Sequence, residues 1–552
     1  MGIISSTGAV RQCTAACFLG VLSHAVYFIR GRQHSRQSVH IACSYILGSM
    51  VASSLCIQSL GFSTGTQRAI QLLASYFAAL FGSIITYRVF FHRTRHFPGP
   101  SLARVTKLYA GPWLNRHGKM HEEHRRLAGE YGDFVRIAPN EIMIRHIDAL
   151  AKVHGGASRC TKGMVYDNLQ LFGVKNLDGI ADRPAHRLRR QVWDKAFGTR
   201  NLEVYERHAE ATARDWLQRL GDLAAAGRAV DTSLFSLLIS FDNMGRVGFS
   251  REFGLVTAGR ESHYLELLEW LFGSIAVLGS SFSWPVPIVQ ALNLDPRQRE
   301  LEEAAMQEAN LRLRRTDDPE DVMKYLIQDF RSESPKSFED IKTLYSDSSA
   351  IFIGATDTIA FALANTFYYL ARDPSLRSRL RGELKKTEIE TGGLRHSDLV
   401  GVELLDAIIN ETMRMHAPIG ANGSRFSPPE GMVIGDTFIP GGVEMFLPIP
   451  LYHRSEKYFK QADDFIVERW TTRPDLILDR RAFHPFLTGP WNCVGRRLAM
   501  LLLRVVIAHT VWNYDFGFAP GEDGHGILDR SRNQIIMKAG PLFLTFKAIR
   551  DS

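Results

Sequence analysis

Apolar and polar positions fall into two regimes along this chain, and the change comes near residue 90. Before it, three uncharged apolar runs (residues 13–29, 41–67 and 69–87) approach or exceed the roughly 20 helical residues that span a bilayer. They predict transmembrane helices near those positions within an anchor of residues 1–92. His24 interrupts the first run, and a cleavable signal peptide is the competing reading for that run alone. Residues 93–100 are basic and end in Phe97-Pro98-Gly99-Pro100, which reads as a hinge. Beyond it the periodicity is helical at residues 121–130, 202–220, 301–313, 338–370 and 495–514. Strand-like alternation is short and rare (134–137, 141–144 and 432–439), and polar stretches at 314–319, 331–336 and 391–397 read as surface loops. Residues 101–552 are thus expected to form one mostly α domain with small β-sheets, of α+β class.

Charges around the apolar runs choose an orientation. Arg30, Arg32 and Arg36 follow the first run and Arg88, Arg93 and Arg95 the third, while only Arg68 separates the second from the third. The positive-inside rule then places the first loop and everything after Tyr87 on the cytoplasmic side. A later uncharged stretch, residues 270–294, is long enough for a fourth span. Pro285 and Pro287 would break a helix there, so an apolar lid over a channel, dipping into the membrane surface, is the better reading.

Composition changes this picture little. The net charge of +8 on 552 residues suits a basic docking patch or an anionic membrane surface. No zinc-finger spacing or Lys/Arg block points to nucleic acid. Six cysteines without a C-x-x-C pair argue against a disulfide framework: Cys13, Cys17, Cys43 and Cys56 lie in the apolar N-terminal region, and Cys160 stands alone. Cys493 differs, because the glycine-rich loop Phe486-Leu487-Thr488-Gly489-Pro490-Trp491-Asn492-Cys493-Val494-Gly495 leads directly into a helical pattern. A cysteine there faces unpaired N–H groups and the positive end of a helix dipole, both of which favour a metal-binding thiolate. Gly489 and Gly495 permit a tight turn and the close approach of something flat and large. From the loop alone, a buried thiol in a Gly/Pro turn fits equally well.

The loop resembles the F-x-x-G-x-R-x-C-x-G signature of the cytochrome P450 family, with Phe486, Gly489, Cys493 and Gly495 in register. The resemblance makes Cys493 the axial thiolate of a haem iron. Trp491 stands at the family's arginine position, which removes one partner of a haem propionate and leaves the indole N–H or another group to replace it. Glu411-Thr412-Met413-Arg414 resembles the family's E-x-x-R helix. Phe465-Ile466-Val467-Glu468-Arg469-Trp470 resembles its P-E-R-W segment, with Val467 for proline, and implies a structural triad of Glu411, Arg414 and Arg469. Gly354-Ala355-Thr356-Asp357-Thr358-Ile359 is similar to [AG]-G-x-[DE]-T-[TS], which gives Asp357 and Thr358 the proton-handling role in catalysis. His186 and Arg190 share one helical face suited to the propionates, and Arg425 resembles a further propionate ligand. Arg187 and Arg189 are expected on a solvated face and, with Arg496, Arg497 and Arg504, in a basic docking surface for an acidic reductase.

The resemblance runs from about residue 97 to 547. Within the family, residues 131–141, Cys160-Thr161-Lys162-Gly163 and Asp463-Asp464-Phe465 resemble microsomal fungal members. It implies a haem b monooxygenase that receives electrons from NADPH through a flavoprotein, an NADPH-cytochrome reductase. The substrate would be a lipophilic small molecule of fungal secondary metabolism, of terpenoid, polyketide or indole type, with Phe352, Ile353 and residues 419–424 setting selectivity. The chain would lie in the endoplasmic reticulum membrane as a multi-pass protein in contact with lipid, its catalytic domain facing the cytoplasm. Two alternatives stay open: a reductase-independent haem-thiolate isomerase or dehydratase, and a non-catalytic membrane haem-binding protein.

Overall fold

The computed structural model describes residues 2–29, 35–274, 292, 294–420 and 423–549. Three N-terminal helices, α1 (Gly2–Ser23), α2 (Ser35–Leu60) and α3 (Phe62–Thr86), are long and apolar enough to cross a membrane. The second and third expected spans are redrawn. The break falls at Gly61, whose φ of +77° turns the chain, and Arg68 is absorbed into α3. His24 is accommodated between helices, 2.8 Å from the Ser83 hydroxyl, as polar groups in apolar helix pairs must be.

The segment read as a hinge is fastened down. Thr94 donates to the Pro139 carbonyl at 2.8 Å, the Arg136 amide donates to the Pro98 carbonyl at 2.7 Å, and Phe97 is buried in a core cluster. Most of the expected apolar lid, residues 275–291 and 293, lies outside the described residues.

The remainder is built around α4 (Arg183–Ala196), α5 (Thr199–Ala225), α6 (Thr232–Phe249), α7 (Ile341–Arg372), α8 (Glu403–Met415) and α9 (Arg496–Asn513). Helix α7 is also apolar enough to span a bilayer, yet its apolar window is 67% buried inside the protein, which makes it a core helix. Its start is locked to α4 by Asp347, which pairs with Arg189 at 3.1 Å and accepts from Trp193 Nε1 at 2.8 Å. Arg189 was expected on a solvated face. It is buried instead, because the helix turns it toward Asp347 rather than toward solvent.

Five short strands form a sheet beside the helices: β1 (Phe134–Ala138), β2 (Glu141–Ile144), β3 (Thr161–Lys162), β4 (Arg425–Phe426) and β5 (Glu444–Phe446), in the order β1-β2-β5-β4-β3. Its register sets Lys162 opposite Arg425 and Glu141 opposite Glu444. The alternation at 432–439 is a hairpin of Met432–Ile434 with Thr437–Ile439.

A buried charge network ties α8 to the loop that follows this sheet. The Glu411 carboxylate accepts from Arg414 through both oxygens at 2.8 Å, from Arg469 at 3.3 Å, from the Ile466 amide at 2.8 Å and from Trp470 Nε1 at 2.9 Å. All three charged side chains are 0% exposed. The excess positive charge is spread over carbonyls: Arg414 donates to those of His453, Ala462 and Asp464, and Arg469 to those of Lys460, Gln461 and Leu476. His453 then accepts from the His484 amide at 3.1 Å, which fixes the chain two residues before Phe486. Glu411→Ala leaves two guanidiniums buried without a carboxylate and is expected to cost about 3–5 kcal/mol, measurable by denaturant unfolding of the detergent-solubilised chain. Arg473→Ala, at an exposed pair with Asp475, is expected to leave the midpoint unchanged.

Candidate active site

The cysteine loop is shaped by two backbone features. The Cys493 amide donates back to the Phe486 carbonyl at 2.9 Å, which folds residues 486–493 into a closed turn. Gly489 sits at φ +70°, and a Cβ on it would lie 2.0 Å from the His154 carbonyl oxygen. The loop then enters α9 at Gly495. There the protein itself leaves room, since a Cβ on Gly495 would meet only the Cys493 Sγ, at 3.9 Å. Among the described residues nothing crowds a side chain at that position, so the space over the sulfur is open to a flat group.

Over it is a cavity of about 440 Å3, within the usual range for a small-molecule site. Phe486, Cys493, Val494 and Gly495 line one side, and Ile353, Gly354, Ala355, Thr358 and Ile359 of α7 line the other. Phe352, expected here, is turned away and stacks between Phe241 and Phe249 at 4.8 and 5.0 Å, since it lies about 100° around the helix from the cavity-facing Ile353. Ile353, Ile419, Gly423 and Ser424 do reach the cavity, and residues 421–422 lie outside the described residues.

Burial pushes the Cys493 thiol up, against the opposing pull of the Gly495 amide, Arg190 and the Arg496 amide. The helix end and Arg190 favour the thiolate against that push, and a cation bound at the sulfur would favour it further. On α7, Thr358 donates its hydroxyl hydrogen to the Gly354 carbonyl at 3.0 Å. Asp357, one position along, points out of the cavity wall and is pushed up to about 6 by burial, moderated by Lys538 and reinforced by Glu269 and Glu261.

The polar end of the cavity carries two charge pairs. Glu141 and Glu444 share Lys107, and Glu444 also accepts from Ser424 at 2.6 Å and from the Met164 amide at 2.8 Å. Opposite them stand Lys162, His186, Arg190 and Trp491. Arg190, expected to face propionates, spends its N–H groups on the Asn492 carbonyl and side chain at 2.8 and 2.9 Å and on Asp194 at 2.7 Å. As placed, it braces the cysteine loop. Arg425 lies behind the wall, over the rings of Tyr166 and Trp491, with one nitrogen donating to Tyr166 and to the Gly423 and Ser424 carbonyls. Lys162 was missed in the sequence because a two-residue strand has no readable periodicity.

These residues fit a haem. The space above Gly495 suits a flat group over the Cys493 sulfur. The buried Trp491 Nε1 and Arg425 Nε are donors without acceptors among the described residues, at the end where anionic propionates are expected. Phe486, Gly495, Trp491 and His186 would then hold the group, with Arg190 bracing the cysteine loop and Gly489 and Arg425 supporting from behind. Gly495→Val is expected to fold, as judged by circular dichroism, yet to purify without haem. Gly489→Ala, by contrast, should lower thermal stability itself, by strain against His154.

Comparison with known proteins agrees with this geometry. The profile of the Cytochrome P450 family matches residues 98–546. Cytochrome P450 monooxygenase sthD of Phaeosphaeria nodorum is 35% identical over 491 residues, covering 86% of this chain and 100% of that protein. The Tryprostatin B 6-hydroxylase of Aspergillus fumigatus is 30% identical over 559 residues, covering 96% of this chain and 95% of the relative. Among solved structures, the cytochrome P450DA heme domain superposes with a TM-score of 0.65 at 16% identity, over 78% of this chain and 92% of that one, which speaks for the fold. The chain belongs to the cytochrome P450 family and is a haem-thiolate monooxygenase.

Proposed function

We propose that this chain inserts one oxygen atom into a lipophilic small molecule held between Cys493 and α7, with Cys493 as the axial ligand of haem b. The observation that carries this is a single apolar cavity bounded by the Cys493 sulfur on one side and Thr358 on the other. Haem, when bound, supplies the activation of dioxygen. The protein's part is to exclude water, seat the substrate and manage protons. Because the Thr358 hydrogen is directed to Gly354, its lone pairs face the cavity and accept a hydrogen bond from a water or substrate group. Thr358 thereby positions a proton donor. Asp357, titrating near 6, exchanges protons close to neutral pH on the side of α7 that faces Lys538 and Glu269.

Electrons would come from NADPH through an NADPH-cytochrome reductase. Arg187, Arg496 and Arg497, exposed around the cysteine loop, suit an acidic partner. Arg504 is withdrawn from that surface by its pair with Asp406 at 2.7 Å. The arginines after α1 and α3, with an uncharged turn at Gly61 between α2 and α3, favour a multi-pass endoplasmic reticulum anchor with the catalytic domain in the cytoplasm. Fungal relatives, one of them a hydroxylase, support an oxidation in secondary metabolism, and a terpenoid, polyketide or indole-type intermediate is the substrate class we propose.

Incubation with reductase, NADPH and isotope-labelled dioxygen should place one labelled atom in the product. Turnover that ignores reductase but requires a hydroperoxide would overturn the monooxygenase reaction proposed here. Asp357→Asn is expected to lower product formation by about a hundredfold. It also has a stability signature. The folded-state pKa is raised from 3.8 to about 6, so the ionised carboxylate weighs against the fold increasingly as pH rises through that window. The Asn variant should match the wild-type unfolding midpoint below about pH 4, gain on it up to about pH 6 and stay ahead above that.

A further inference from the structure

Two like-charged pairs lie in register in the five-stranded sheet, Glu141 with Glu444 across parallel strands and Lys162 with Arg425 across antiparallel ones, and they are compensated differently. Like charges set directly opposite one another in a sheet repel. Burial pushes Glu141 up to about 8, while Glu444, against its own burial, is held down with the help of Lys107. The pair thus carries a single negative charge near neutral pH, and Lys107 between them balances it. For Lys162 and Arg425 the protein supplies only Asp178, whose backbone carbonyl accepts from the Lys162 ammonium at one side. Arg425 is 1% exposed and, among the described residues, makes no ion pair with a carboxylate. The Lys162 side chain is 2% exposed, and its nearest carboxylate, Asp178, stands 3.6 Å off with 69% of its own side chain in solvent.

Trp491 joins this pair at the cavity wall. Its indole has the Lys162 ammonium 4.4 Å from the ring centroid, the Arg425 guanidinium at 5.9 Å, and His186 packed at 4.1 Å. The ring face suits a cation, but it is not an anion and neutralises nothing. The Trp491 Nε1–H is itself buried without an acceptor among the described residues. Burial pulls the Lys162 ammonium down to about 8, only partly offset by Asp178, with Arg425 pulling the same way. Burial, Lys162 and Arg190 hold His186 neutral, at about 3. A paired cation and a free N–H donor thus sit at one end of a cavity whose other side is apolar, and the missing partner is an anion with more than one acceptor oxygen.

We propose that Lys162 and Trp491 together form a carboxylate clamp for one haem propionate, Lys162 supplying the charge and the Trp491 indole the hydrogen bond, in place of the arginine the family carries at the tryptophan position. Arg425 backs the clamp from behind the ring. The clamp rests on the haem assignment above, and it moves a charge from the cysteine loop to β3. It makes haem retention depend on a strand that the loop motif does not contain.

The test is the rate of haem loss from the full-length holoenzyme in detergent, followed optically with an excess of a haem-scavenging apoprotein. Lys162→Met is expected to speed haem loss by about ten- to a hundredfold, the size of one charge-assisted hydrogen bond. Lys162→Arg, which keeps the charge, should stay within about threefold of wild type. The same proteins reconstituted with haem dimethyl ester, whose propionates carry no charge, separate a clamp from a merely structural lysine. With the ester, wild type and Lys162→Met should lose the group at similar rates. An equal acceleration with both haems, or Lys162→Met within twofold of wild type on native haem, would overturn the clamp. A wild-type protein that takes up no haem would instead overturn the assignment on which it rests.

Discussion

The Glu411 carboxylate, sealed from water between two guanidiniums, is the interaction on which the rest of the site depends. It joins α8 to a segment with little regular structure of its own, and such a segment holds a shape only if something over-determines it. Arg414 and Arg469 do so by gathering six backbone carbonyls from residues 453–476 around one buried cluster. Through His453 and His484 the constraint reaches Phe486, and through the Phe486 carbonyl it reaches the Cys493 amide. The position of the sulfur is therefore set by charges far from it in the chain.

Around that sulfur the protein is deliberately incomplete. The Cys493 thiol is pushed toward its neutral form, Lys162 and Arg425 face each other across a strand pair with only the solvent-exposed Asp178 near Lys162, and among the described residues the Trp491 N–H lacks an acceptor. Each would be a cost in an isolated fold. A single bound group with a cationic centre and anionic arms relieves all three. The acidic pair nearby is balanced from within the chain by Lys107.

Much of this was legible in the sequence because it rests on spacing. Cys493 with its glycines, the Glu411–Arg414 interval and the Asp357–Thr358 pair all sit within continuous stretches whose local geometry is fixed. The features that went unread depend on partners distant in the chain. Arg189 looked solvated until Asp347 came beside it, Phe352 looked like a selectivity residue until its ring met Phe241, and Arg68 looked like a loop although Gly61 makes the turn. Lys162 was quoted only as part of a subgroup motif. Its role follows from the strand register that brings it to Arg425 and Trp491.

The central claim is that Cys493 is the axial ligand, and the absorption spectrum of the reduced carbon monoxide complex tests it most directly. Wild-type protein should show the long-wavelength thiolate band. Cys493→His, which keeps a metal-binding side chain at the same place, should replace that band with one typical of imidazole ligation. A thiolate band retained in the Cys493→His protein would contradict the assignment.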